Sequence, residues 1–571
     1  MGAIDLNRLC SRRTYASCLH IQCPKDPSIG SMRPARTADH SPLRIRHMPL
    51  IATAFSVLTA GAVFRHQFRF KYDDSYITFR YAQRLADHAQ YNFNDGELTN
   101  SASSFLFTVL LSFFDILPFI SVPFGADLIS AFSLLLIISF LIWLSASSLS
   151  NIASTFLLIG AAASLMTPTF IYWLGSGMET TLFVAFLITA SGLAVLQVTE
   201  PSSRTGLLSL LLAGLVLSRF DGVIFSTSIL ASLALGHLVK SRSPAIKDLL
   251  LQCLKPGIAT AFAFSFLLGF NYFVSGQFIP DSARQKQLMV YYDRPLSDSF
   301  SALYTYLSES IFSSVALSIG FILLSACIGG ALRTQRKIGV ALTVLIAQLL
   351  LIIGYLSTVP HADYNRYYVP ASAPIVVGIA FLARITTSNR ADRGSCFGRR
   401  ILVGIVGSLL LGWGALRSVD ELRSIRAASS GYMDVQIARE EIGLWMEEHL
   451  EPQSTVWSGS LASIAFHNPS SNFIDGSGLT TREVLDAASA GQDPRSVLFG
   501  HGRYHVEMSY GSFESSFPRD WDAIPTWWPT AEPLTSCDAR EAFEAERVAV
   551  VVSASGTPLI VLSELTWHSC A

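Results

Sequence analysis

Charge is the first thing this chain lacks. Only 15% of its 571 residues are Asp, Glu, Lys or Arg, against about 25% in an ordinary soluble domain. Half of the residues are hydrophobic, and the mean hydropathy is +0.42. That balance excludes a single soluble globular domain. The eight cysteines show no metal-ligand spacing. Cys10, Cys18 and Cys23 lie near the N-terminus, and Cys253, Cys327 and Cys396 stand singly in or beside apolar segments. Cys537 and Cys570 share the polar C-terminal region, as a disulfide if that region is exported or as two free thiols. The formal net charge is −1, and the basic residues are scattered over short loops, which excludes a nucleic-acid-binding face. There is no internal repeat, no low-complexity tract and no signal-peptide core before Met48. Residues 1–47 are polar and carry eight Lys or Arg side chains from Arg8 to Arg46. They read as a disordered cytoplasmic tail, or as untranslated if Met48 is the start.

What the chain has instead is apolar blocks. Runs of about 17–22 residues recur, each long enough to cross a hydrocarbon core of roughly 30 Å. Candidate spans are 48–66, 126–147, 152–173, 179–197, 205–218, 222–239, 256–275, 309–331, 338–359, 368–385 and 401–417, about eleven in all. The expected fold is mainly α: a polytopic transmembrane helix bundle over 48–417, followed by an exported α+β domain over 418–571. Basic loops at 240–255, 333–337 and 384–400 are expected in the cytoplasm. Alternation then places 276–308, 360–367 and everything after 418 outside. The stretch 104–121 is ambiguous. If it spans, 205–239 must be one helix of about 52 Å, too long for a membrane. A re-entrant 104–121 with two short spans at 205–218 and 222–239 is the preferred arrangement.

Five polar clusters interrupt this pattern. Asp73 and Asp74 follow the first apolar block directly and open a helix-like segment in which Ile77, Tyr81 and Leu85 share one side. Paired carboxylates suit proton acceptance, and Arg80 and Arg84, four residues apart, could aim two guanidinium forks at a phosphate. The plain alternative is an Asp-capped interfacial helix with snorkelling arginines. Glu179 follows Gly177-Met178, and Arg219 and Asp221 sit between two short spans. Each also fits an ordinary role, as a helix-start carboxylate and a turn-closing ion pair. Arg284 and Lys286 are cations on the face expected to avoid them. His361, Asp363 and Arg366 lie among tyrosines, Tyr367 included. Interfacial anchoring explains the tyrosines but not the charged set. In the preferred topology all five clusters share one membrane face.

In this order the segments resemble the GT-C class of polytopic glycosyltransferases, and more narrowly the family of bacterial terminal arabinofuranosyltransferases. The motifs are Asp73 to Leu85, Phe93-Asn94-Asp95-Gly96-Glu97, Thr99-Asn100-Ser101, Gly177-Met178-Glu179-Thr180, Arg219-Phe220-Asp221-Gly222, Pro280-Asp281-Ser282 with Lys286, Asp363 to Pro370, and Ile474-Asp475-Gly476-Ser477-Gly478-Leu479-Thr480. Asp95 stands where the family has Pro, and Phe220 follows Arg219 where it has Pro. The resemblance covers 48–485 and implies transfer of a sugar from a polyprenyl phosphate to a glycan or protein acceptor at the outer face, by inverting general-base catalysis without a metal or other cofactor. It implies Asp74 as the base, with Asp73 close behind. It further implies Arg80, Arg84, Arg284, Lys286 and Arg366 around the donor phosphate, and Glu179, Arg219, Asp221, His361, Asp363 and Tyr367 around the sugar or acceptor. A lipid-linked sugar flippase is the rival. It predicts related halves, which the sequence does not show. A membrane scaffold with an exported binding domain is a third reading, in which Asp74→Asn would leave every activity intact.

Overall fold

The structure is a computed structural model that describes residues 71–145, 152–200, 204–240, 246–288, 330–332, 335–356, 365–367, 369–388, 397–458, 462–476, 478–490, 503–508, 543–552 and 558–567, with 319 and 322. The chain begins with α1 (Asp73–His88), α2 (Phe105–Asp115), α3 (Val122–Ser145), α4 (Ile152–Leu165), α5 (Pro168–Gly175) and α6 (Thr180–Thr199). There follow α7 (Thr205–Ser218), α8 (Gly222–Lys240), α9 (Ile246–Ser275), α10 (Asp281–Leu288), β1 (Gly330–Leu332), α11 (Gln335–Leu356), two 3₁₀ turns (Asn365–Tyr367, Val369–Ala371), α12 (Ser372–Ile385) and β2 (Thr386–Ser388). The last part holds α13 (Phe397–His449), β3 (Thr455–Ser458), α14 (Ala462–His467), β4 (Asn472–Asp475), α15 (Arg482–Ser489), β5 (Tyr504–Met508), β6 (Phe543–Val552) and β7 (Pro558–Trp567).

The bundle is organised around α6. Every residue of it from Leu187 to Thr199 is buried, and a helix that is apolar all round must be surrounded by others. Its neighbours include α3, α7, α8, α11 and α12. Among the described residues five helices are long and apolar enough to cross a membrane, or six if a bent pair counts as one. The pair is α4 and α5, which meet at 63°. Thr167 caps α5 by accepting from the Phe170 amide, and Pro168 starts that helix. The expected single span at 152–173 is therefore broken. The stretch 104–121 forms only the 11-residue α2, about 16 Å long and too short to span. Residues 205–239 are two helices, as the length argument required. The expected span at 48–66 and nearly all of 309–331 lie outside the described residues.

The expected boundary at 417/418 falls inside α13, which runs unbroken for 53 residues, about 80 Å. Beyond it a five-stranded mixed sheet forms, in the order β4-β3-β5-β7-β6. Strands β4, β3 and β5 are parallel, and β5, β7 and β6 antiparallel. The end of α13 covers it with Ala438, Ile442 and Met446 at four-residue spacing. Helix α1 joins the same core. Tyr76, Ile77, Phe79, Tyr81 and Ala82 are all buried, together with Val456, Phe473 and Ile560 of the sheet. It is thus a buried connector between bundle and sheet rather than an interfacial helix, because its apolar residues occupy more than the one side on which Ile77 and Tyr81 lie.

Candidate active site

Four of the five polar clusters converge where α1 begins. The loop after α5 turns back at Gly177, whose φ of +79° favours glycine. A Cβ there would lie 2.9 Å from both Lys71 Cδ and Phe79 Cζ. The turn is held against α1 by Tyr72, whose amide donates to the Ser176 carbonyl at 2.9 Å. Lys71 adds a salt bridge to Asp127 at 2.5 Å and a bond to the Gly175 carbonyl. Glu179 is thereby buried beside Ser103, which donates to it at 3.1 Å. Between α7 and α8 the chain reverses at Gly222, where a Cβ would strike the Leu215 carbonyl.

That reversal presents Arg219 and Asp221 to the same centre. Arg219 grips Asp221 with two bonds, at 2.9 and 3.0 Å, and lies 3.8 Å from Glu179. Its guanidinium sits over the Tyr367 and Phe183 rings at 5.0 and 5.3 Å. Burial opposes its charge, but Asp221 and Glu179 outweigh burial and raise its pKa above the ordinary value. Arg366, also buried, lies over Tyr367 and Trp173 and pairs with Asp74 at 3.2 Å. Burial opposes its charge too, and Tyr367, Asp74 and Glu179 raise its pKa. Asp74, Arg366, Tyr367, Arg219, Glu179 and Asp221 therefore form one continuous network.

The two adjacent aspartates face different partners, since neighbours on a helix point about 100° apart. Asp74 faces Arg366 with a third of its side chain exposed, at 33%. Asp73 is only 13% exposed, lies 3.6 Å from Arg439 of α13, and accepts the Ser463 amide of α14 at 3.1 Å. Asp74 is the accessible carboxylate of the pair.

Three predicted phosphate ligands are placed elsewhere. Arg80 is 2% exposed. Its donors meet the carbonyls of Phe93 (2.7 Å), Ala465, Asn468 (3.2 Å) and Ser471 (3.0 Å). Arg84 binds Asn92 at 2.7 Å, Gln90 at 2.9 Å and Asp95. These guanidiniums are joints of the fold, with their forks turned to protein acceptors rather than to the Asp74 network. The Arg84 contact also explains Asp95, whose carboxyl the Arg84 hydrogen bond holds below the usual range. Arg284 pairs with Asp486 of α15 at 3.2 Å and lies 3.7 Å from Asp281. Lys286 is on α10 with its side chain outside the described residues. His361 and Asp363 also lie outside them, as do Cys537 and Cys570. Among the described residues no group of three His, Cys, Asp or Glu could hold a metal.

Sequence reasoning missed several neighbours. Tyr355, inside an apolar span, donates to Asp221 at 3.1 Å. Trp173 forms part of the wall beside Arg366, and Arg439 meets Asp73. A lone tyrosine in an apolar span and a lone arginine in a polar helix carry no distinguishing local signal. The segment from Asp475 to Thr480 serves the fold: Asp475 accepts the Thr480 amide at 3.1 Å, and Leu479 offers its carbonyl to Ser101.

No family model matches the sequence, and no curated protein matches it. Solved structures do match in fold. ArnT from Cupriavidus metallidurans bound to undecaprenyl phosphate aligns with a TM-score of 0.53 at 12% identity, over 90% of this chain and 97% of that one. The same protein in the apo state gives 0.51 at 11% identity over the same shares. The Archaeoglobus fulgidus oligosaccharyltransferase AglB, in complex with an inhibitory peptide and a dolichol-phosphate, gives 0.47 at 12% identity over 91% of this chain and 74% of that one. The likeness to ArnT is one of fold and extends over nearly the whole of both chains.

Proposed function

We propose that this protein is an integral-membrane glycosyltransferase that moves a sugar from a polyprenyl phosphate to an acceptor hydroxyl at the outer face of a bacterial cytoplasmic membrane. The observation that carries the proposal is the Asp74–Arg366 pair at 3.2 Å. It sets an accessible carboxylate beside a buried guanidinium, within a network that also holds Glu179, Arg219, Asp221 and Tyr367. The fold shared with ArnT supports the class, and the undecaprenyl phosphate bound in that protein supports a lipid-linked donor.

In this mechanism Asp74 accepts the proton of the acceptor hydroxyl. That oxygen attacks the anomeric carbon as the bond to the phosphate oxygen breaks, with inversion through an oxocarbenium-like state. The bonding pair leaves with the lipid phosphate, whose growing charge Arg366 stabilises. Glu179 and Asp221 offer carboxylate acceptors for sugar hydroxyls, positioned by Arg219, with the aromatic faces of Tyr367 and Trp173 as walls. Such a monophosphate leaving group needs no metal. Arabinofuranose is the first donor sugar to test, and the acceptor is a cell-envelope glycan or a protein.

The test is transfer of label in membranes containing the protein, from polyprenyl-phosphate arabinose, mannose, glucose and aminoarabinose. One donor should work, and Asp74→Asn should lower its rate by about 10²–10⁴-fold at equal protein level. Labelled donor lipid crossing the bilayer without any transfer would replace the proposal with a flippase.

A further inference from the structure

We infer that Arg439 is a positioning residue for the reaction: through Asp73 it holds the first turn of α1, and so sets where Asp74 stands. The inference rests on Asp74 acting as the base. It concerns a residue 365 positions away from Asp74 in sequence, on the end of α13 that covers the sheet.

Within the first turn of α1 the local tie is Ser75, whose amide and hydroxyl donate to the Tyr72 carbonyl at 2.9 and 2.6 Å. Its N-cap residue is Tyr72, which makes no side-chain cap bond. A helix start leaves four amides without intrahelical partners, and the end frays unless something ties it. The ties that fix its position against the rest of the protein are external. The Tyr72 amide is fixed to Ser176 on the bundle side. On the sheet side Asp73 accepts the Ser463 amide at 3.1 Å and lies 3.6 Å from Arg439. Arg439 is 2% exposed and donates to Gln436 at 3.2 Å, and Gln436 donates to the Ser463 hydroxyl at 2.6 Å. Residues 436, 439, 463 and 73 thus close a buried polar ring. Rings of this kind specify one geometry, because every member is costly to leave unpaired. Asp73 and Asp74 are adjacent in one helical turn. With the first held by Arg439 and the second facing Arg366, the turn is clamped from both sides. The segment carrying Arg439 and Ser463 is therefore a working part of the site and not only an attached domain.

This assigns the two aspartates different duties, which a double-mutant cycle separates. Arg439→Gln and Asp73→Asn should each lower kcat roughly 10–100-fold, the scale of a displaced catalytic group, with the donor KM within twofold of wild type. The double variant should be no slower than Asp73→Asn alone, since both changes break one clamp. Arg439→Lys, which keeps the charge, should recover part of the rate. Wild-type kcat in Arg439→Gln, or multiplied losses in the double variant, would overturn the clamp. Amide hydrogen exchange of residues 73–82 in the full-length protein tests the clamp without any transfer assay. Exchange should quicken to the same extent in both single variants and in the double. Unchanged exchange in Arg439→Gln would also overturn it. Failure of wild-type protein to transfer sugar, with exchange behaving as stated, would remove the glycosyltransferase reading and leave the clamp standing.

Discussion

Arg80→Lys separates a structural guanidinium from a substrate-binding one. Three of the four Arg80 bonds cross to α14 and the segment after it, at Ala465, Asn468 and Ser471. Its planar group is also sandwiched between Phe93 and Phe473, at 5.0 and 5.2 Å. A hydrogen bond from a charged group contributes about 1.5–3 kcal/mol, so the three together are worth about 5–9 kcal/mol before any compensation. Lysine keeps the charge but lacks the flat fork and its aromatic stacking. If the ammonium recovers half of the bonding, the loss is about 3 kcal/mol, or roughly a hundredfold in the equilibrium for local opening. The assay is amide hydrogen exchange over residues 462–475, which reports such openings directly. Exchange should accelerate about a hundredfold, while the donor KM stays within twofold and kcat falls only as far as α1 loosens. Unaltered exchange with a KM raised tenfold would refute the reasoning and return Arg80 to the donor phosphate.

Two more outcomes follow from single residues. Gly177→Ala forces a side chain into positive φ and against Lys71 and Phe79, at a cost of about 2 kcal/mol or more; transfer and thermal stability should both fall, whereas Gly276→Ala, also at positive φ but with open space at its Cβ, should lose stability and keep its rate. Burial pushes His505, stacked on Trp457 at 4.2 Å, down to about 4. Unfolding lets this ring take up a proton below its ordinary pKa of about 6.5. Its contribution, at most about 3 kcal/mol, is complete above that pH and lost as pH falls toward the folded value. Thermal unfolding followed from pH 7.5 to 4.5 should show that loss, with a flatter profile in His505→Gln.

Much of the candidate site was legible in the linear pattern. Charged residues at the ends of apolar blocks are costly enough to need a reason, which singled out Asp74, Glu179, Arg219, Asp221 and Arg366 from a chain with few charges. The break at 218–222 was readable because one helix over 205–239 could not fit a bilayer, and two helices form there. The arginines were less legible. Arg80 and Arg366 look alike in sequence, each beside aromatic residues and near an aspartate.

By itself, then, the sequence determined a multi-pass helical chain and which turns carry its charge, because apolar length and charge scarcity are local properties. Tertiary structure decided what each charge does. Arg80 is occupied by a carbonyl 385 residues away, and Asp73 by an amide 390 residues away. Backbone acceptors and donors exist at nearly every residue and leave no mark in the sequence, so the partner of a buried guanidinium or carboxylate is settled only when distant segments pack. The same packing separated Asp73 from Asp74. One residue of helical rotation turned one carboxylate to Arg439 and the other to Arg366, a division that their adjacency in the chain conceals.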